Sequence, residues 1–381
     1  MLKDALKLPW KSHNVPHCLI DIIRGCNVVC ENCYNTETSH IKPLKQVKEE
    51  IDLMAKYRKL HSLAIIGGEP LLHPQLDEII EYVHSKNIIV ELFSNGLLLS
   101  EERLKKLKSL GVKLIFIHIE EGQIRKDLPR NANAQDVKEL RYKIANRVYD
   151  AGIEVAIIFT SYKHDMIAIN KAIEEALEEK SITYIIITLF RDYTRFENLK
   201  GDLKNGFIGS LNLNQKTKEV PYTNFDIMKY MYEQFSFKPF AFLPSNRNQK
   251  DPRWVSYMLT VFHPNNGEKS ISHPLKSSYL EKFYLFMHHL VTRKYPFFQE
   301  QDEKRTRTLL KLNGLFGGDK KGNQEFLEKI KNQEGELKIL RVLFQAPAQL
   351  DSDGTLSFCD NCPDAVVKNG ELVPACVGDQ L

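Results

Sequence analysis

The chain has 381 residues, 27% of them charged, and a net charge of only +4. That length can bury a large core, as one domain with additions or as two, and so small a charge, spread along the chain, makes no case for nucleic acid. No apolar run reaches the ~18 residues of a membrane span, and the opening MLKDALKLPWKSH lacks the apolar region of a signal peptide, so a cytoplasmic protein is expected.

In chain order, apolar strand candidates fall at 18–24, 62–67, 88–94, 112–119, 153–160 and 182–190. Amphipathic helices lie between them, such as KPLKQVKEEIDLMAKYRKL and QLDEIIEYVHSKN, several stopping at Gly or Asn. Alternating strand and helix predicts parallel strands joined by right-handed crossovers. Six such units predict an open or partial barrel, with its chemistry at the C-terminal ends of the strands. The pattern breaks after about residue 195. We divide the chain into a barrel at 1–195, a helical, aromatic-rich region at 196–337 covering the substrate, and a small β element at 338–381, where DSDG is a hairpin turn signal. Eighteen of the thirty-seven aromatics lie in 222–300. In SYLEKFYLFMHHLV, Tyr279, Phe283, Phe286, Met287 and Leu290 form one apolar stripe, expected to pack on the open side of the barrel or to line an apolar pocket.

The seven cysteines cluster. Cys26, Cys30 and Cys33 follow the first strand as C-x3-C-x2-C, and clustering in a reduced compartment favours metal over disulfides. Three thiolates suit zinc or an iron–sulfur cluster. A closed zinc site wants four ligands, so Cys18 or His40 would have to fold back. A four-iron cluster on three cysteines leaves one iron open. The second strand ends in GGEP, where Gly67 and Gly68 would let backbone approach a ligand and Glu69 would accept from an ammonium group; a plain strand-to-helix turn reads the same way.

Together, C-x3-C-x2-C after strand one and GGEP after strand two resemble the radical S-adenosylmethionine (SAM) superfamily over about 15–195. The resemblance implies a partial (β/α)6 TIM-like barrel with a helical, aromatic insert and a small C-terminal β element carrying cysteines. It implies a [4Fe–4S] cluster on Cys26, Cys30 and Cys33, with SAM chelating the open iron. Gly67, Gly68 and Glu69 would hold the SAM amino group. Ser94, Asn95 and Gly96 of FSNG, His118 and Glu120 of HIEEG, and Tyr34 complete the expected cofactor contacts. Arg130, in a segment resembling a D-x-x-R motif, is the expected partner of the SAM carboxylate, with Arg125 as competitor. Two departures stand out: Asn32 precedes the third cysteine where the family usually has an aromatic, and His118 stands where Ser is commoner. The implied reaction is reductive cleavage of SAM to a 5′-deoxyadenosyl radical, which takes hydrogen from an unactivated carbon.

The tail stretch LDSDGTLSFC, with Cys359, Cys362 and Cys376, resembles the start of SPASM or twitch auxiliary-cluster domains, but lacks the cysteine that usually precedes the glycine. It is expected to hold a second [4Fe–4S] cluster, with zinc or reduced structural thiols as alternatives and Asp360, Asp364 or Cys18 as further ligands. The aromatic region points to a hydrophobic small molecule or lipid as substrate, and the D-x-x-R segment and tail to a ribosomal peptide. The short stretch before residue 18 shows no peptide-recognition domain, which favours the former. An external electron donor such as flavodoxin or ferredoxin is expected. The non-catalytic alternative is an iron–sulfur scaffold or electron carrier on the same fold.

Overall fold

The computed structural model describes residues 2–30, 33, 35, 39–161, 166–189, 223–350 and 356–378. The six expected strands form as β1 (His17–Asp21), β2 (Ser62–Ile66), β3 (Ile89–Ser94), β4 (Val112–Ile117), β5 (Glu154–Ser161) and β6 (Ile182–Leu189). Each pairs in parallel with the next, in sequence order. Between them run α1 (Leu44–Tyr57), α2 (Leu76–Ser85), α3 (Glu101–Ser109), α4 (Ala134–Asp150) and α5 (Met166–Glu178). The sheet does not close, because β1 is an end strand. This is the expected partial (β/α)6 barrel.

The strands carry Ile and Val on both faces, as strands buried between helices and an interior must. Each helix turns one stripe inward: α2 buries Leu76, Ile79, Ile80 and Val83, and α1 buries Val47, Ile51 and Met54. Side-chain caps start α3 and α4. The Ser100 side chain accepts from Arg103 N, and Asn133 and Asp136 form a reciprocal capping box.

The second half departs from expectation. It comprises α6 (Asn224–Phe235), β7 (Ala241–Pro244), β8 (Pro252–Pro264), β9 (Ile271–Pro274), α7 (Tyr279–Thr292), α8 (Glu303–Leu315), α9 (Lys320–Lys329), β10 (Gly335–Gln345) and a hairpin of β11 (Ala365–Lys368) and β12 (Glu371–Pro374). Strand β10 pairs in parallel with β6 and antiparallel with β8, so the barrel sheet continues through the boundary expected at residue 338. The aromatic region supplies strands as well as helices. In WVSYMLTVFHP both strand faces are buried, and an apolar run of that kind reads equally as buried helix or buried strand. The polar loops before residue 223 and the DSDG turn lie outside the described residues.

Helix α7 forms, but none of its residues is buried. Tyr279 is 70% exposed and Phe283 61%, so the stripe does not pack against the barrel. Periodicity shows that a helix has an apolar face, not what that face meets. Among the described residues, no helix is long and apolar enough to cross a membrane.

Lys338 locks β10 to the start of β6. Its side chain is 1% exposed, and Nζ donates to the carbonyl oxygens of Glu179, Lys180 and Ile182 at 2.7, 2.7 and 2.6 Å. Lys338→Met keeps the stem but leaves three carbonyls without this donor, so a loss of ~2–4 kcal/mol is expected. A denaturant titration checks it, and a midpoint equal to wild type would refute the role.

Candidate active site

The strands enclose a cavity of about 380 Å³. Cys26, Cys30 and Cys33 line it, and so do Cys359, Cys362 and Cys376. Inward positions of β3, β4 and β6 add Phe93, Phe116 and Tyr184, with Trp254 and Phe297 from the second half. Phe93 and Phe116 stack at 4.3 Å between ring centroids.

The cysteine loop is seated on the GGEP turn. Gly68 N donates to Ile23 O at 2.7 Å, and Glu69 N to Gly25 O at 2.9 Å. A Cβ on Gly67 would lie 2.3 Å from Ile23 O, and one on Gly68 2.3 Å from Gly25 O. The close approach that requires glycine is therefore made by the cysteine loop's own backbone, where the sequence reading expected a ligand. Val29–Cys30 also pairs with Gln123–Ile124, and Asn95 Nδ2 lies 3.7 Å from Cys26 Sγ. The Cys30 thiol is pushed up to about 12, first by burial and then by Cys33 and Cys26.

Among the described residues, no group of three His, Cys, Asp or Glu side chains is arranged to hold a metal ion. Three thiols that line one cavity are soft donors of the kind that an iron–sulfur cluster or zinc takes. The proposed zinc partners are elsewhere: His40 is exposed, and Cys18, accepting from Arg58 Nη1 at 3.5 Å, does not line the cavity.

Gly67, Gly68, Ser94, Asn95, His118 and Glu120 line the cavity with the trio; Glu69, Gly96 and Arg130 do not. Glu69 is fully buried and acts as a strut between strand ends. It accepts from Ser94 Oγ at 3.1 Å, Asn95 N at 2.7 Å and Leu71 N at 3.1 Å. Burial pushes its carboxyl up to about 7 against the pull of those bonds. Gly96 sits at φ 81°, where its turn requires glycine. Arg125 pins that turn from below, donating to Asn95 O at 3.0 Å and clamping Asp127 with Nε and Nη2 at 2.6 and 2.8 Å. The aspartate of the D-x-x-R segment thus holds Arg125, and Arg130 is exposed. His118 Nε2 lies 3.4 Å from Glu120 Oε1; burial opposes charge on the imidazole, but Glu120 outweighs it and raises the pKa. Tyr34 lies outside the described residues.

The tail reaches the cavity through the second half of the chain. Cys359 bridges Ser245, Asp360 N donates to Pro244 O at 2.9 Å, and Arg253 Nη2 donates to Ser357 Oγ at 2.8 Å. Arg58 Nη1 donates to His17 O at 2.7 Å and to Pro363 O at 3.3 Å, joining tail to barrel. Sequence reasoning missed the acid beside it. Glu91 lines the cavity, 1% exposed, with neither carboxylate oxygen in hydrogen-bond geometry with a described donor. A lone acid inside the apolar run IIVELF was the available signal.

Residues 20–179 match the Radical SAM superfamily. The chain is 26% identical over 192 residues to an Fe-coproporphyrin III synthase of Methanosarcina barkeri, covering 48% of this chain and 47% of that protein. It is 31% identical over 102 residues to the antilisterial bacteriocin subtilosin biosynthesis protein AlbA of Bacillus subtilis, covering 26% and 22%. Each of these matches thus covers less than half of the relative's length. The structure of Streptococcus suis SuiB bound to S-adenosylmethionine aligns at 16% identity and a TM-score of 0.41, over 58% of this chain and 49% of that one. With the cysteine trio and the GGEP turn inside them, residues 20–179 belong to the radical SAM superfamily of enzymes.

Proposed function

We propose that this chain cleaves SAM reductively and uses the resulting radical on a small, largely apolar substrate held inside the barrel, with a second cluster on the tail cysteines. The carrying observation is that all six cysteines of the two groups line one cavity, between aromatic walls. Cys26, Cys30 and Cys33 would hold the first [4Fe–4S] cluster, which supplies the electron for SAM cleavage when bound. Gly67, Gly68, Ser94 and Asn95 form the wall next to it, where SAM would bind. Glu69 sets that wall's shape by tying the β2 and β3 ends together. His118 and Glu120 present a polar pair at the β4 end, suited to hydroxyl or ammonium groups. The enclosed volume suits a small molecule or a single side chain of a larger one, and its walls keep water from a reactive intermediate. An external donor of the flavodoxin or ferredoxin kind would deliver the electron.

Cys359, Cys362 and Cys376 would hold the second cluster. Anaerobic reconstitution, with iron and sulfide counted, tests both parts. About eight irons are expected in wild type and about four in Cys359/Cys362/Cys376→Ala. Addition of dithionite and SAM to wild type should yield 5′-deoxyadenosine. About four irons in both proteins would reduce the tail to a zinc or thiol element. Failure of wild type to cleave SAM with its cluster intact would favour the iron–sulfur scaffold.

A further inference from the structure

We propose that the cavity contains a subsite for an organic cation, a protonated amine on an otherwise apolar substrate, held by Glu91. This rests on the reading of the cavity as the substrate chamber. Glu91 stands on β3 three residues before its end at Ser94, so it faces the chamber deeper than the groups around the cysteine trio. A carboxylate 1% exposed and without a described hydrogen-bond donor is costly unless a partner arrives.

The neighbours do not supply that partner. Ser62, whose Oγ lies 2.8 Å from His17 Nδ1, is close enough to draw the Glu91 pKa down, but it is neutral and supplies no counter-charge. Arg341 also draws it down, yet does not line the cavity, and its Nη2 donates to Gln299 O at 2.8 Å. Asp364 and Glu154 push the other way. The net result is a Glu91 carboxyl pushed up to about 8, chiefly by burial. Asp364 lines the same cavity, with Oδ2 accepting from Gln345 Nε2 at 3.0 Å and Oδ1 3.9 Å from His17 Nε2. Arg58, donating to Pro363 O at 3.3 Å, gives Asp364 a counter-charge, which leaves Glu91 as the acid the subsite rests on.

A buried acid with neither oxygen in hydrogen-bond geometry with a described donor, set among aromatic walls, makes a site that a protonated amine completes. The ammonium would donate hydrogen bonds to the Glu91 carboxylate, and the apolar body would lie against Phe93, Phe116 and Tyr184. A neutral or anionic substrate would leave Glu91 unpaired, so the subsite selects against both.

The test uses the full chain, reconstituted anaerobically, with 2-phenylethylamine and 2-phenylethanol titrated calorimetrically at about pH 7, where the amine is protonated. Wild type should bind the amine at least about tenfold more tightly than the alcohol. Glu91→Gln should lose that preference while still binding the alcohol, and Glu91→Asp should keep it. If Glu91→Gln binds neither probe, Glu91→Asp decides: a retained preference supports the subsite and a lost one overturns it. Equal affinities in wild type, no binding of the amine, or an undiminished preference in Glu91→Gln would each overturn it. An iron count that falls in Glu91→Gln, with no amine preference in wild type, would make Glu91 a cluster ligand instead. 5′-Deoxyadenosine, measured on the same wild-type sample, separates the two readings. SAM cleavage without amine preference removes the subsite alone, and amine preference without SAM cleavage removes the radical reading alone.

Discussion

Replacing Cys26, Cys30 and Cys33 together by alanine abolishes 5′-deoxyadenosine formation and removes about four irons per chain. The expectation rests on the loop's geometry. Its backbone is fixed by Ile23 and Gly25 against the β2 end, and Val29–Cys30 is fixed by pairing with Gln123–Ile124. Removing three thiols therefore removes ligands without removing the loop's supports, and the fold should survive. Far-ultraviolet circular dichroism checks that the fold is kept, while the iron count and product chromatography read the loss. The tail variant gives the contrast, since it should lose a similar amount of iron from the other group of cysteines. SAM cleavage at wild-type rate by the trio variant would end the assignment of the trio to the radical cluster.

The barrel was legible because each of its signals is local. Val- and Ile-rich runs such as IIVELFS and VKLIFI alternate with amphipathic helices, and that alternation leaves few topologies open. That the cysteine loop and GGEP lie at the same end of the sheet was legible for the same reason, since both follow neighbouring strands, but the seating of one on the other was not. What escaped depends on contacts far apart in sequence. Strand β10 is an apolar run at the end of the chain, and nothing in it shows that it pairs with β6 and β8. The arrival of Cys359 and Cys362 in the barrel cavity depends on Ser245, Pro244 and Arg58, each more than a hundred residues away. Glu69 was expected as an ammonium acceptor, and what escaped is that its carboxylate also accepts from Ser94 and Asn95, because a motif names a residue without naming the hydrogen bonds it already makes. The α7 stripe failed in the opposite sense, since its periodicity held and its partner is not among the described elements.

Gly68→Ala should separate the architecture of the loop from its chemistry. The added Cβ would lie 2.3 Å from Gly25 O and 2.6 Å from Arg24 O, both backbone atoms that no rotamer change can move aside. Either the cysteine loop lifts off the β2 end or the Glu69 N to Gly25 O bond at 2.9 Å is lost. Overpacking of this kind costs ~1–3 kcal/mol, sometimes more. The lift also moves Cys26 and Cys30 relative to Asn95 and Gln123, so the variant should load less iron and form 5′-deoxyadenosine at least about tenfold more slowly, with every cysteine present. Gly267→Ala is the control. Its Cβ meets nothing within 4 Å, but its φ of 79° strains any other residue, so it should lose about 1 kcal/mol and keep its iron. If Gly68→Ala loads iron and cleaves SAM like Gly267→Ala, the seat of the loop on the GGEP turn has no part in assembling the site.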